Sequence, residues 1–144
     1  MAKSDTAPSK MDHLRSIWLF SECSKRELAL LERACDEAPA AAGTVICEEG
    51  HGGRELYFIV KGEAKVEKGG NEVARLGAGN HFGELSLLDQ QPRSASVIAL
   101  TPMDLIVLPA REFTSVLEEI PSLAVRLLEV MSLRLRQADE RAYG

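Results

Sequence analysis

The sequence predicts a mainly β domain with helices at both ends, an α+β arrangement, and three observations carry that prediction. From about residue 43 to 108 the chain is a series of short apolar runs cut by glycine: TVICEEG, ELYFIVKG, EAKVEKGG, EVARLGAG, SASVIAL and DLIVLP. Strand-length runs at this spacing belong to a β-sandwich or barrel. On either side of that region the apolar residues recur at helical spacing instead. The chain has 144 residues, 45% of them hydrophobic and 27% charged, which suits one globular domain with its own core.

In chain order, residues 1 to 11 begin MAKSDTAPSK, a polar stretch without the apolar core of a secretory signal, and read as a disordered tail. The domain then runs from 12 to 144. DHLRSIWLF, residues 12 to 20, reads as a short amphipathic helix or turn. SKRELALLERACDEA, residues 24 to 38, is a clearer helix. Ser24 stands at the N-cap with Glu27 three residues on, as in a capping box, and Leu28, Leu31 and Cys35 make one apolar stripe. In the β region the pair Gly69–Gly70 before Asn71 is a hairpin signal, and Gly62, Gly77 and Gly79 mark corners.

After Pro109 the helical period returns in AREFTSVLEEI, residues 110 to 120. Pro121 suits the first turn of a second helix, which continues to about residue 141. Along it Ala124, Leu128, Met131, Leu135 and Ala138 recur at spacings of four and three, a seam of about two heptads. That seam fits a helix lying on the barrel, and it fits a helix that pairs with a second copy.

Charge and composition remove several classes of function. A net charge of −5 is a poor match to nucleic acid or to an anionic membrane. No run approaches the apolar length of a membrane span. Cys23, Cys35 and Cys47 form no CxxC pair, which points to reduced thiols and a cytoplasmic protein. His13, His51 and His81 lack the HxH pairing of a metal-binding barrel, and His51 and His81 sit among glycines, where solvated turn residues are expected. Ser86 has no base near it in sequence, so no catalytic constellation and no metal site is read here.

The stretch that carries chemistry is FGELSLLDQQPRSASV, residues 82 to 97. Gly83 lets a ligand approach the backbone. ELSLL, residues 84 to 88, can form one helical turn whose free N–H groups favour an anion. Pro92 ends that turn, and Arg93 offers a permanently charged fork that matches a phosphate. Ser94 and Ala95 are small and leave their amides reachable. Glu84 opposes an anion, which makes sense if the ligand has two ends, an anion for Arg93 and a hydroxyl for Glu84. A sugar phosphate has both. The plain alternative is a salt bridge between Glu84 and Arg93 across a hairpin.

This stretch closely resembles the phosphate-binding cassette of the cyclic nucleotide-binding domain family, in its catabolite activator-like sensor form. FGELSLL followed by PRSASV contains each fixed element of the pattern, and ELYFIVKGEAKV and LGAGNHFGE resemble the family's strands before it. The resemblance covers about residues 12 to 141. It implies a β-roll, a jelly-roll or double-stranded β-helix, at about 43 to 109, with N-terminal helices and two C-terminal helices at about 110 to 141. By the same resemblance Arg93 pairs with the cyclic phosphate and Glu84 accepts from the ribose 2′-hydroxyl. Gly83, Leu85 and Ser86 make backbone contacts, Ser94 and Ala95 add a hydroxyl and an amide at the phosphate, and Val66, Val73 and Leu85 form apolar walls.

The ligand implied is cyclic AMP, with cyclic GMP the alternative, and Ser94 leans to the former. Arg134 falls where a family member has a ligand-facing arginine, and Ala138 stands where that member contacts adenine through a threonine. The chain reaches Gly144 without a helix-turn-helix, so a sensor module is expected: a binding protein rather than an enzyme. Its partner is a second copy bound through the 121–141 helix or an unknown effector protein. A ligand-free scaffold of the same fold and the sensor piece of a transcription regulator are the other readings.

Overall fold

Two capping boxes start the N-terminal helices in the computed structural model, which describes residues 7–84 and 90–143, with side chains to residue 140. Ser9 Oγ accepts from the Asp12 amide at the head of α1, Lys10–Ser16, while the Asp12 carboxylate accepts from the Ser9 amide. Helix α1 therefore begins inside the stretch read as tail. The S-x-x-D pattern was present, but only four residues separate it from the nearest apolar pair. A 3₁₀ turn at Trp18–Phe20 leads to α2, Lys25–Ala34, whose cap is the expected pairing of Ser24 with Glu27. Such a cap contributes about 1 kcal/mol.

Among the described residues eight strands follow: β1 Asp36–Ala40, β2 Val45–Cys47, β3 Glu55–Lys61, β4 Ala64–Lys68, β5 Asn71–Leu76, β6 His81–Phe82, β7 Ser96–Ala99 and β8 Met103–Pro109. They form two antiparallel sheets, ordered β1-β8-β3-β6 and β2-β7-β4-β5. Strand β1 starts seven residues ahead of the expected β region. Its sequence DEAPA has neither alternation nor a β-branched residue, and it is a strand because β8 pairs with it, Asp36 opposite Val107 through Ala40 opposite Met103. Pro39 is tolerated because β1 is an edge. Gly69 and Gly70 turn the β4–β5 hairpin with φ of +60° and +82°, the left-handed pair that a two-residue turn requires.

The residues of β3 and β8 divide between two cores. Leu56, Phe58, Ile106 and Leu108 face the helices and pack with Leu14, Phe20, Leu31 and Phe113. Ile59, Met103 and Leu105 point between the sheets, where they meet Cys47, Ala64, Phe82, Val97 and Ala99. The roll is thus filled inside by this second group and roofed outside by helices.

Helix α3, Ala110–Glu119, buries Phe113 and Val116, and α4, Pro121–Tyr143, follows directly. Helix α4 lies on the domain through Leu123 and Leu127, with Val130 half-buried. The expected seam is a different face of α4: Leu128 is 68% exposed and Leu135 63%. The helix does lie on the domain, then, but by a stripe one position away from the seam. Arg126 holds its first half down. The guanidinium lies 4.4 Å from the Trp18 ring centroid, donates to the Trp18 carbonyl and Ser21 Oγ, and pairs with Glu22 at 2.9 Å. Among the described residues no helix is long and apolar enough to cross a membrane.

Candidate functional site

Strand β6 ends in Phe82, and Gly83 then takes φ of +98°, a left-handed conformation that side chains disfavour. A Cβ on Gly83 would lie 2.6 Å from the Glu55 carbonyl oxygen and 2.8 Å from Arg93 Nη1. The crowding at Gly83 thus comes from protein atoms. The turn it makes places Glu84 and the returning Arg93 around one cavity of about 260 Å³. Its polar end holds Glu84, Arg93, Ser94 and Ala95, and its apolar walls are Cys47, Val66, Leu76, Phe82 and Val97. Burial pushes the Cys47 thiol up to about 11, so it stays neutral there. A larger hollow of about 600 Å³ lies between residues 52–55 and the start of α3. Among the described residues its charged side chains are the exposed Arg54 and Arg111 and the half-exposed Glu55, with no buried polar group, so the smaller cavity is the candidate site.

Arg93 is 7% exposed. Nη1 donates to the Gly83 carbonyl at 2.9 Å and Nη2 to the Glu55 carbonyl at 3.0 Å. Among the described residues its sole ion-pair partner is Glu55, at 4.0 Å, and that carboxylate is 42% exposed. A buried guanidinium held by carbonyl dipoles, with no closer counter-ion among the described residues, favours an anion. Gly53 makes the position available, because a Cβ there would fall 1.8 Å from Arg93 Nε. The backbone around Arg93 is tied as well: its amide donates to the His51 carbonyl, and its own carbonyl accepts from the Gly50 amide.

Glu84 is 4% exposed, and it does not pair with Arg93. Its Oε1 accepts from His81 Nδ1 at 2.8 Å and from Arg134 Nη1 of α4 at 3.2 Å. The salt-bridged hairpin is therefore not what these two residues form; acid and base reach the same cavity separately. Burial raises the Glu84 pKa, but the His81 hydrogen bond and the Arg134 guanidinium outweigh it, and the carboxyl lies below the ordinary carboxylate range. A carboxylate whose folded value is depressed stabilises the fold above its unfolded pKa, and that contribution is lost as pH falls through the lower folded value. Wild type is accordingly expected to lose more melting temperature than Glu84→Gln between neutral pH and roughly pH 3, a window set by ordinary carboxylates. Parallel melting curves that fall equally would contradict this.

Of the residues read as a site from sequence, Gly83, Glu84, Arg93, Ser94, Ala95 and Val66 line this cavity. Val73 does not: it lies on β5, 59% exposed, away from the cavity. Leu85 and Ser86, with the expected helical turn, lie outside the described residues. His51 is exposed, as a turn residue should be, but His81 is 5% exposed and part of β6, where it pairs with Phe58. The reading of His81 as solvated is corrected by that pairing. Gly53 and the apolar wall of Cys47, Leu76, Phe82 and Val97 were not singled out from sequence at all. Val97 lies in the apolar run SASVIAL, but nothing local points to Gly53.

The sequence profile of the cyclic nucleotide-binding domain family matches residues 38–120. The chain belongs to that family. Among relatives of this cyclic nucleotide-binding domain, a cyclic nucleotide-gated potassium channel of Rhizobium etli is 38% identical over 106 residues, 74% of this chain and 30% of the channel. The crystal structure of Thermus thermophilus catabolite activator protein superposes with a TM-score of 0.79 at 31% identity, covering 86% of this chain and 61% of that one. The regulatory domain of Toxoplasma gondii protein kinase A, crystallised with cyclic AMP, gives 0.64 at 33% identity over 74% of this chain and 42% of that one. The chain spans less than two thirds of each. The β-roll with flanking helices is the fold of these proteins, and the domain is a regulatory binding module of that family rather than an enzyme.

Proposed function

We propose that the domain binds a cyclic nucleotide, cyclic AMP in preference to cyclic GMP, in the cavity between Glu84 and Arg93, and that α3 and α4 report its occupancy. The observation that carries the reading is Arg93, a buried cation whose one ion-pair partner among the described residues is the half-exposed Glu55 at 4.0 Å, facing a cavity whose other polar wall is a buried carboxylate. Arg93 would take the cyclic phosphate and Glu84 the ribose 2′-hydroxyl, with Ser94 and Ala95 beside the phosphate and Val66 against the apolar part. Gly83, Leu85 and Ser86 would supply backbone contacts. The relatives named as cyclic AMP receptors and kinase regulatory subunits support cyclic AMP.

Coupling to α4 is supported by Arg134, which bridges from that helix to the carboxylate assigned to the ribose. A ligand hydroxyl arriving at Glu84 changes what Arg134 is bound to, and so changes the free energy of α4 in its present position. The exposed pair Leu128 and Leu135, seven residues apart, supports a second copy as the partner of the outer α4 face. Light scattering of wild type and Leu128→Glu/Leu135→Glu checks this: a dimer is expected only in the former, and a wild-type monomer would overturn it.

Thermal unfolding with and without nucleotide tests the ligand. At one hundred times its dissociation constant a ligand adds about 2.7 kcal/mol to stability. Melting temperature is expected to rise with cyclic AMP, to rise less at equal concentration of cyclic GMP, and to stay unchanged with 5′-AMP. No shift with either cyclic nucleotide at millimolar concentration would overturn the proposal.

A further inference from the structure

We propose that His81 is a positioning residue for ligand binding: its Nδ1–H holds one oxygen of Glu84 so that the other is presented to the ribose 2′-hydroxyl. The inference deepens the reading of Glu84 as the hydroxyl acceptor and rests on it.

Both donors that reach Glu84 among the described residues, His81 Nδ1 at 2.8 Å and Arg134 Nη1 at 3.2 Å, converge on the same oxygen, Oε1. A carboxylate plane otherwise turns freely about its last side-chain bond, and an acceptor that must meet one hydroxyl has to be held. The two donors differ in how firmly they are held themselves. Arg134 is 42% exposed and rides on α4, the element expected to move. His81 is 5% exposed, belongs to β6 and is paired with Phe58 of β3. It also fixes the second donor, because its carbonyl accepts from Arg134 Nη2 at 3.4 Å. If α4 shifts on binding, His81 is the donor that stays.

The chemistry of the ring assigns its proton. His81 Nε2 is buried and has no hydrogen-bond partner among the described residues. Were the proton on Nε2, a buried donor would go unpaired and the Nδ1 lone pair would face the Glu84 carboxylate at 2.8 Å. With the proton on Nδ1, the ring donates to Glu84 and leaves only a bare acceptor unmatched, the cheaper arrangement. The same unmatched nitrogen argues against packing as the reason for a histidine. Phenylalanine would fill the space beside Phe58, 6.0 Å away between ring centroids, without a buried unpaired atom. The polar ring is retained for its bond to Glu84.

Calorimetry with cyclic AMP and with 2′-deoxy cyclic AMP tests the role in wild type, His81→Phe and His81→Asn. His81→Phe is expected to bind cyclic AMP about tenfold more weakly, the effect of one hydrogen bond, while its affinity for the 2′-deoxy analogue stays at the wild-type value. His81→Asn, which can carry an N–H to nearly the same place, is expected to recover most of the preference for cyclic AMP. Equal weakening toward both ligands would make His81 a structural residue and overturn the proposal, as would no weakening at all. Wild type binding neither ligand would instead overturn the site reading beneath it. Should His81→Phe fail to fold, the ¹⁵N spectrum of the His13→Gln/His51→Gln protein, in which His81 is the sole histidine, gives the answer. The Nδ1–H tautomer is expected, and an Nε2–H tautomer overturns the proposal.

Discussion

Arg93→Ala is expected to weaken cyclic AMP binding by about 2–5 kcal/mol, the range for removing one partner from a buried charge pair. The size follows from where the guanidinium sits. It is 7% exposed, and among the described residues it is held by the carbonyl oxygens of Gly83 and Glu55, neutral dipoles that orient it, with only the half-exposed Glu55 carboxylate at 4.0 Å as an ion-pair partner. A phosphate entering the cavity meets a cation already desolvated and already aimed, so little ordering remains to oppose the contact. Without that cation the phosphate gives up water for an apolar wall and a few amides. Arg93→Lys keeps the charge but loses the planar fork, and an intermediate loss is expected because lysine cannot hold both carbonyls and the phosphate. Calorimetry of the three proteins, with circular dichroism to confirm folding, gives the comparison. Arg93→Ala binding as tightly as wild type would remove Arg93 from the site.

The second large effect belongs to a residue that touches no ligand. Gly53→Ala is expected to weaken binding nearly as much as Arg93→Ala, because a methyl group at 1.8 Å from Arg93 Nε cannot coexist with the observed side chain. Gly53 does not need glycine for its backbone, as its φ lies outside the left-handed region. The loss therefore acts through space, on Arg93. A double-mutant cycle separates this from general damage. In the Arg93→Ala background the added methyl group has room, so Gly53→Ala should cost no further affinity and little stability. If the two losses add, the effect is not transmitted through Arg93.

Much of the fold was legible because its elements state their period locally. The Gly69–Gly70 turn, the capping box at Ser24 and the apolar run in ELYFIVK each follow from a few adjacent residues. What escaped depends on residues far apart in the chain. DEAPA is a strand because β8 lies beside it, and nothing in five residues with a proline announces that. His81, flanked by Gly79 and Gly83, looks like a loop residue until β6 is paired with β3, which turns its ring inward against Phe58 and Glu84. On α4, apolar residues occupy more than one stripe, so spacing alone could not decide whether Leu123 and Leu127 or Leu128 and Leu135 would face the domain.

The same division holds at the site. Glu84 and Arg93 were legible because their chemistry is unusual for a short glycine-flanked turn. Their supports were not. Gly53 matters through a clearance from a side chain forty positions on, and Val73, read as a wall from the family resemblance, falls on β5 where the register shifts opposite the step from Val66 to Glu67. Acid and base looked like natural partners in sequence. Among the described residues each has its own partners instead, His81 and Arg134 for Glu84 and two carbonyls for Arg93, and both side chains line the cavity.

Titration calorimetry of the wild-type domain with cyclic AMP, run beside Arg93→Ala, tests the central claim most directly. Saturable one-site binding by the wild type, with the heat lost or the affinity reduced by at least tenfold in the variant, is the result that a phosphate held by Arg93 requires. No heat from the wild type at millimolar nucleotide, or equal affinities for the two proteins, would contradict it.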